Sequence, residues 1–168
     1  MKINFAILTI SDRAATGQRV DQSGPALSQQ IQSDGYEIVK YAVVPDDFDQ
    51  IIETLIAWCD LDSVHILLTT GGTGFGQRDV TPEATTAVIQ RPAPGFSELI
   101  RSKSMIKIPH AILSRGVSGI RNKTLIVNLP GSPIGAVESY NFIKPVLDHA
   151  VEILLNFPSA EEGHRPKK

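Results

Sequence analysis

The chain has almost no cysteine: of its 168 residues only Cys59 carries a thiol. An internal disulfide is therefore excluded, and Cys59, beside Trp58 on an apolar helical pattern, reads as a packing residue rather than a nucleophile. Aromatic residues are scarce at 6%, no dense lysine or arginine cluster occurs, and the formal net charge is −2. The electrostatic footprint of a nucleic-acid binder is thus missing. No apolar run is long enough to span a bilayer. The start, Met1-Lys2-Ile3-Asn4, lacks the basic region, apolar core and cleavage site of a signal peptide, so a cytoplasmic location without membrane contact is expected. The histidines, His65, His110, His149 and His164, stand far apart without H-x-x-x-H or Cys-His spacing and propose no zinc site. What is present, 42% hydrophobic and 20% charged residues, suits one domain with its own core and a small-molecule ligand. That domain is expected over residues 1–158, followed by a loose, charged tail over 159–168.

The most informative stretch is Thr69-Thr70-Gly71-Gly72-Thr73-Gly74-Phe75-Gly76-Gln77-Arg78-Asp79, which follows the apolar run Val64 to Leu68. Glycine tolerates positive φ and has no Cβ, so such a loop brings backbone N–H groups close to an anion, and threonine adds hydroxyl donors. Thr81-Pro82-Glu83 reads as a helix start with Thr81 as N-cap, Pro82 at N1 and an acid in the first turn. Strand, glycine loop and helix together are the layout of a phosphate site. The Walker pattern fails, because Gln77 and Arg78 stand where lysine and a hydroxyl residue are required. The dinucleotide fingerprint G-x-G-x-x-G is not met either, since the loop offers Gly72-x-Gly74-x-Gly76. A tight turn without ligand stays open for this loop taken alone.

Ile3 to Ile10 is nearly all apolar, as in a strand buried on both faces of a parallel sheet. A polar loop from Ala14 to Gly24 leads to a helix from Pro25 to Ser33, a strand from Tyr36 to Val44 and an amphipathic helix from Asp47 to Asp60. The pattern continues with the strand at Val64 to Leu68, a helix from Pro82 to Ile89, a break at Arg91-Pro92-Ala93-Pro94-Gly95 and a helix from Phe96 to Met105. Thr124 to Leu129 is a further strand, and Pro130-Gly131-Ser132-Pro133 a second loop before a long helix from about Ile134 to Phe157 with a bend at Pro145. The alternation predicts an α/β fold, a mostly parallel sheet sandwiched by helices.

In such a sheet ligands collect at the carboxyl ends of the strands. There the chain places Ser11-Asp12-Arg13, Pro45-Asp46-Asp47, the glycine loop and Asn128-Leu129-Pro130-Gly131. Each has an ordinary turn or cap reading, Asp47 as an N-cap for instance, but four polar or glycine-rich loops on one edge argue for a site.

These motifs, with Arg78-Asp79-Val80-Thr81-Pro82-Glu83, Pro94-Gly95-Phe96 and Ile112-Leu113-Ser114-Arg115, together resemble the molybdopterin-binding family of molybdenum cofactor biosynthesis. Within it the chain is similar to the molybdopterin adenylyltransferases, MogA type, over Ile3 to about Leu155. The resemblance implies a three-layer α/β/α domain, molybdopterin-binding-like and usually trimeric, with hexamers in some members. It implies transfer of AMP from ATP to the terminal phosphate of molybdopterin with release of pyrophosphate, using Mg²⁺, and a possible hand-off to a molybdenum insertase. It assigns Asp46 to catalysis and Asp79 to substrate or metal. Ser11, Asp12, Gly71, Gly72, Thr73, Gly74, Asn128, Pro130 and Gly131 fall to nucleotide or substrate, and Ser114 and Arg115 to the neighbourhood of the pterin phosphate. The family also contains MoaB-type homologues, some without the acid after the second strand and inactive in transfer, so the alternative is a MoaB-like molybdopterin-binding protein without adenylyltransferase turnover.

Overall fold

The computed structural model describes residues 2–157, so the expected tail at 159–168 lies outside the described residues. Elements follow in the order β1 (Asn4–Ile10), α1 (Asp12–Ala15), α2 (Ser23–Ser33), β2 (Glu37–Val44), α3 (Phe48–Cys59), β3 (Ile66–Thr70) and α4 (Thr81–Val88). The remainder is β4 (Arg91–Pro92), α5 (Pro94–Lys107), a 3-10 turn (Pro109–Leu113), β5 (Ser118–Arg121), β6 (Thr124–Leu129) and α6 (Pro133–Leu154). One six-stranded sheet has the order β2-β1-β3-β6-β5-β4. Strands β2, β1, β3 and β6 run parallel, while β5 is antiparallel to both β6 and β4. The expected mostly parallel α/β sheet is what forms.

The alternation of β1 divides the core. Phe5 and Ile7 face a cluster with Leu27 and Ile31 of α2, Ile100 of α5 and Tyr140, Ile143 and Leu147 of α6. Ala6, Leu8 and Ile10 face the opposite cluster, with Ile51 and Leu55 of α3 and Ala84 and Val88 of α4. Helices therefore cover both faces, giving three layers. Each buried leucine, isoleucine or phenylalanine contributes about 1.5–3 kcal/mol of transfer free energy. A one-residue slip of β1 would exchange the two clusters, so the register is firmly held.

Several boundaries differ from the sequence reading, each for a physical reason. Strand β3 starts at Ile66, not Val64, and takes in Thr69 and Thr70, which are buried. Their hydroxyls are satisfied, Thr69 Oγ1 by Asn128 Nδ2 at 2.9 Å and Thr70 Oγ1 by the Pro130 carbonyl at 2.8 Å. The loop expected from Ala14 begins inside a short helix, α1, capped by Ser11 Oγ, which accepts from the Ala14 amide. Helix α2 starts at Ser23, two residues before Pro25, because Asp21 accepts from the Ser23 and Gly24 amides at 3.0 and 3.2 Å. Thr81 is not an N-cap: its hydroxyl donates to the Gly71 carbonyl at 2.9 Å, and Val80 stands at the cap. Arg91-Pro92 is an edge strand, where proline's missing N–H costs no ladder bond. Beyond it α5 begins at Pro94 and ends at Lys107, outside the expected Phe96 to Met105. Helix α6 ends at Leu154 and carries Pro145 inside it. Cys59 is buried, and burial pushes its thiol up to about 12, in keeping with packing. No described helix is long and apolar enough to cross a membrane.

Strands β2 and β3 flank β1 on opposite sides. The chain reverses its winding there, which opens a crevice at the carboxyl ends of β1 and β3.

Candidate active site

A cleft of about 370 Å³ occupies that crevice. Its walls are the β1–α2 segment, the end of β3 with Gly71 and Gly72, Asp46 two residues beyond β2, and Asp79 and Gly131 from two further loops. Sequence-expected residues Ser11, Asp12, Asp46, Gly71, Gly72, Asp79 and Gly131 are thus brought together.

Asp12 and Asp46 clasp each other across 34 positions. The Asp12 amide donates to Asp46 Oδ2 at 2.8 Å, and the Asp46 amide donates to Asp12 Oδ1 at 3.0 Å. Asp12 also takes a two-pronged bond from Arg78, Nε to Oδ2 at 3.0 Å and Nη2 to Oδ1 at 2.9 Å. That guanidinium holds the Asp12 carboxyl below the usual carboxylate value. Asp46 is shifted the other way. Burial raises its pKa, the Asp12 amide partly opposes this, and the charges of Asp12 and Asp79 raise it further. Two carboxylates at about 4 Å repel by roughly 1 kcal/mol in water and more as water leaves. Asp46 is therefore an anion in want of a cation.

Asp79 is shaped by its own loop. Its Oδ2 accepts from the Gly76 amide at 2.8 Å, and a Cβ at Gly74 or Gly76 would come within 2.9 or 2.8 Å of that oxygen. Gly71 has φ +105°, and a Cβ there would lie 2.2 Å from the Ile10 carbonyl oxygen. Only glycine fits. The Gly71 amide is spent on the Leu129 carbonyl at 3.2 Å, so it is not one of the bare donors expected of this loop. The Gly72 amide has no acceptor among the described residues.

Six expected site residues do not line the cleft. Thr73 is buried, and its carbonyl accepts from the Arg115 amide at 2.9 Å. The Gly74 carbonyl accepts from Arg115 Nε at 2.7 Å, the Asp79 carbonyl from Arg115 Nη2 at 2.5 Å, and Glu83 from Arg115 Nη1. Arg115 thus clamps the glycine loop. Asn128 is buried with its amide donating to Thr69 and Thr85 at 2.9 Å each and its carbonyl accepting from the Val117 amide at 3.1 Å. Ser114 and Pro130 line a neighbouring cleft of about 240 Å³ with Ile100, Ile108 and His110. The turn from Pro130 to Pro133 separates the two clefts, with Gly131 and Pro133 on one side and Pro130 and Ser132 on the other.

Sequence reasoning assigned no role to Gly76, Arg78 or Asp21. Arg78 and Gly76 stood beside Asp79 in the motif, but which acid each would bond is set by the fold. Among the described residues no group of three or more metal-binding side chains occurs. The oxygen-only pair Asp46 and Asp79 suits Mg²⁺, which takes one or two carboxylates and completes its shell with phosphates and water.

The sheet order and the place of the crevice at the switch point define the class: a doubly wound α/β protein with a polar crevice at its strand ends. The particular family follows from comparison. Residues 6–149 match the model of the probable molybdopterin binding domain, and the chain belongs to this family. The molybdopterin adenylyltransferase of Helicobacter pylori J99 is 40% identical, over 99% of this chain and 98% of its own length. That of Escherichia coli K12 is 42% identical, over 84% of this chain and 74% of its own. Among solved structures, the molybdopterin biosynthesis enzyme MoaB of Thermus thermophilus superposes with a TM-score of 0.87 at 42% identity, covering 93% of this chain and 98% of that one.

Proposed function

We propose that this chain transfers AMP from ATP to the terminal phosphate of molybdopterin, releasing pyrophosphate, in molybdenum cofactor biosynthesis. The observation that carries the reading is the under-compensated Asp46 beside Asp79 in a cleft formed by a glycine loop. In the reaction a phosphate oxygen of molybdopterin bonds to the α-phosphorus of ATP, and the bond from that phosphorus to the bridging oxygen breaks as pyrophosphate departs. The attacking oxygen is already anionic, so no histidine base is needed; positioning and charge stabilisation supply the acceleration.

The residues divide that work. Asp46 and Asp79 would hold Mg²⁺, which when bound offsets charge on the phosphates. Gly71 and Gly72, with Ser11 and Gly131, let the nucleotide phosphates approach the backbone. Asp12, fixed by Arg78, positions Asp46 through the reciprocal amide bonds. Arg115 and Asn128 act at one remove, holding the glycine loop and the end of β6, together with Thr73 and Gly74. Ser114 and Pro130 border the second cleft, where the pterin would lie. A cytoplasmic trimer, or a hexamer, handing its product to a molybdenum insertase completes the reading.

The test is purified protein with Mg²⁺, ATP and molybdopterin. Adenylylated molybdopterin and one pyrophosphate per transfer are the expected products. Tight molybdopterin binding with no pyrophosphate would replace this reading with that of a MoaB-like binding protein.

A further inference from the structure

Two cations lining the main cleft take no part in the network around Asp46. Arg13 and Arg19 both line it, and among the described residues neither guanidinium has a hydrogen bond or ion pair. The other arginines nearby are committed, Arg78 to Asp12 and Arg115 to Glu83 and the loop carbonyls. The remaining charged groups of the lining are Asp12, Asp21, Asp46 and Asp79, so among the charged side chains of the lining only these two attract an entering phosphate.

The segment that carries them is built rather than slack. Gly17, at φ +74°, turns the chain back after α1, and the Arg19 amide donates to the Arg13 carbonyl at 3.0 Å, tying the two backbones together. Asp21 then anchors the segment to the sheet. Its Oδ1 accepts from the Ser23 amide, the Ser23 hydroxyl and the Gly24 amide at 3.0, 3.1 and 3.2 Å. Its Oδ2 accepts from Thr9 Oγ1 at 2.6 Å and from the Tyr41 hydroxyl. Burial alone would raise this carboxyl, but those bonds outweigh it and hold it below the usual value. Both arginines are exposed, free to swing onto a ligand while their backbones stay in place.

We propose that Arg13 and Arg19 form the phosphate-receiving rim of the cleft. They take the oxygens of a substrate phosphate, whether the departing end of the nucleoside triphosphate or the terminal phosphate of the pterin. This rests on the adenylyl-transfer reading of the same cleft. A guanidinium presents a planar fork that matches two phosphate oxygens, whereas an ammonium offers only a point charge.

Calorimetry on the full chain tests the rim, with magnesium pyrophosphate and molybdopterin titrated separately into wild type, Arg13→Ala, Arg19→Ala, Arg19→Lys and the double alanine variant. The double variant, with wild-type circular dichroism, should bind one of these ligands about 10-fold more weakly or worse, with a shallower salt dependence, and Arg19→Lys should recover part of the loss. Loss confined to pyrophosphate assigns the rim to the nucleotide, and loss confined to molybdopterin assigns it to the pterin phosphate. In turnover the KM of the affected substrate should rise more than kcat falls. Wild-type affinity and salt dependence for both ligands in the double variant would overturn the rim. If wild type fails to transfer AMP but still binds phosphate through these arginines, the activity reading fails and the rim stands. Turnover by the double variant with both KM values unchanged does the reverse.

Discussion

Two aspartates bracket strand β2, and the same side chain does opposite things at its two ends. Asp34, at the amino end, caps α2 and accepts from Tyr140 at 3.1 Å, Gln30 at 3.2 Å and Lys144. The Lys144 bond foremost holds its carboxyl below the usual value. Asp46, at the carboxyl end, has no cation bonded to it among the described residues; burial and the charges of Asp12 and Asp79 hold it above that value. A satisfied carboxylate ties helices together. An unsatisfied one, held where the fold's winding leaves a crevice, stores unfavourable electrostatic energy that a bound cation relieves.

The comparison breaks most readily at Asp46. Asp46→Asn keeps an oxygen for the Asp12 amide but removes the charge, and should lower AMP transfer by about 100-fold or more, read as pyrophosphate release. Wild-type turnover would place the catalytic charge elsewhere. Next in size is the loop beside it: Gly71→Ala forces a Cβ against the Ile10 carbonyl at positive φ and should destabilise by about 3 kcal/mol, seen as a lower urea midpoint. At the other end, Asp34→Ala leaves the buried Tyr140 hydroxyl without its acceptor. It should cost about 1–3 kcal/mol of stability with kcat unchanged, measured by thermal unfolding and the same assay.

The smallest effect sharpens the contrast by its sign. A carboxyl with a raised folded pKa binds more protons folded than unfolded, so Asp46 costs stability as pH rises above the ordinary value of 3.8. Asp46→Asn should therefore be slightly more stable than wild type at pH 7, by at most about 1 kcal/mol since water reaches the cleft, and the gain should vanish below pH 3.8. Asp34 behaves oppositely. Its stabilisation is present above 3.8 and is lost as pH falls through its lowered value. Urea unfolding of both variants across pH 3 to 7 should show the two opposite slopes, within about 1–2 kcal/mol.

How far the sequence reaches can be seen in particular elements. Ile3 to Ile10 announces β1 because a run apolar at both parities suits only a strand covered on two faces, and Asp47 caps α3 as read, accepting from the Gln50 amide at 2.9 Å. Strand β5 leaves no such trace: Ser118-Gly119-Ile120-Arg121 has one large apolar residue, and its place comes from pairing with β6. Thr69 and Thr70 look like loop residues until Asn128 and Pro130, some 60 positions away, satisfy their hydroxyls. The motifs that carry the family resemblance pointed to Asp46 and Asp79, which the fold places on one cleft. The Asp12–Asp46 clasp, the Arg78 fork and the bonds from Thr9 and Tyr41 to Asp21 were not legible, because each joins groups that only the crossover topology brings together. Arg115 shows the converse, since its motif points to a ligand while its guanidinium is occupied by the protein's own carbonyls.

A carboxyl-carbon NMR titration of the ligand-free chain, with Asp34 and Asp46 assigned, tests the central claim in a single experiment. Asp46 should titrate above 3.8 and Asp34 below it. Asp46 at or below the Asp34 midpoint would contradict the account, because the cleft would then hold no unmet negative charge for a cation to answer.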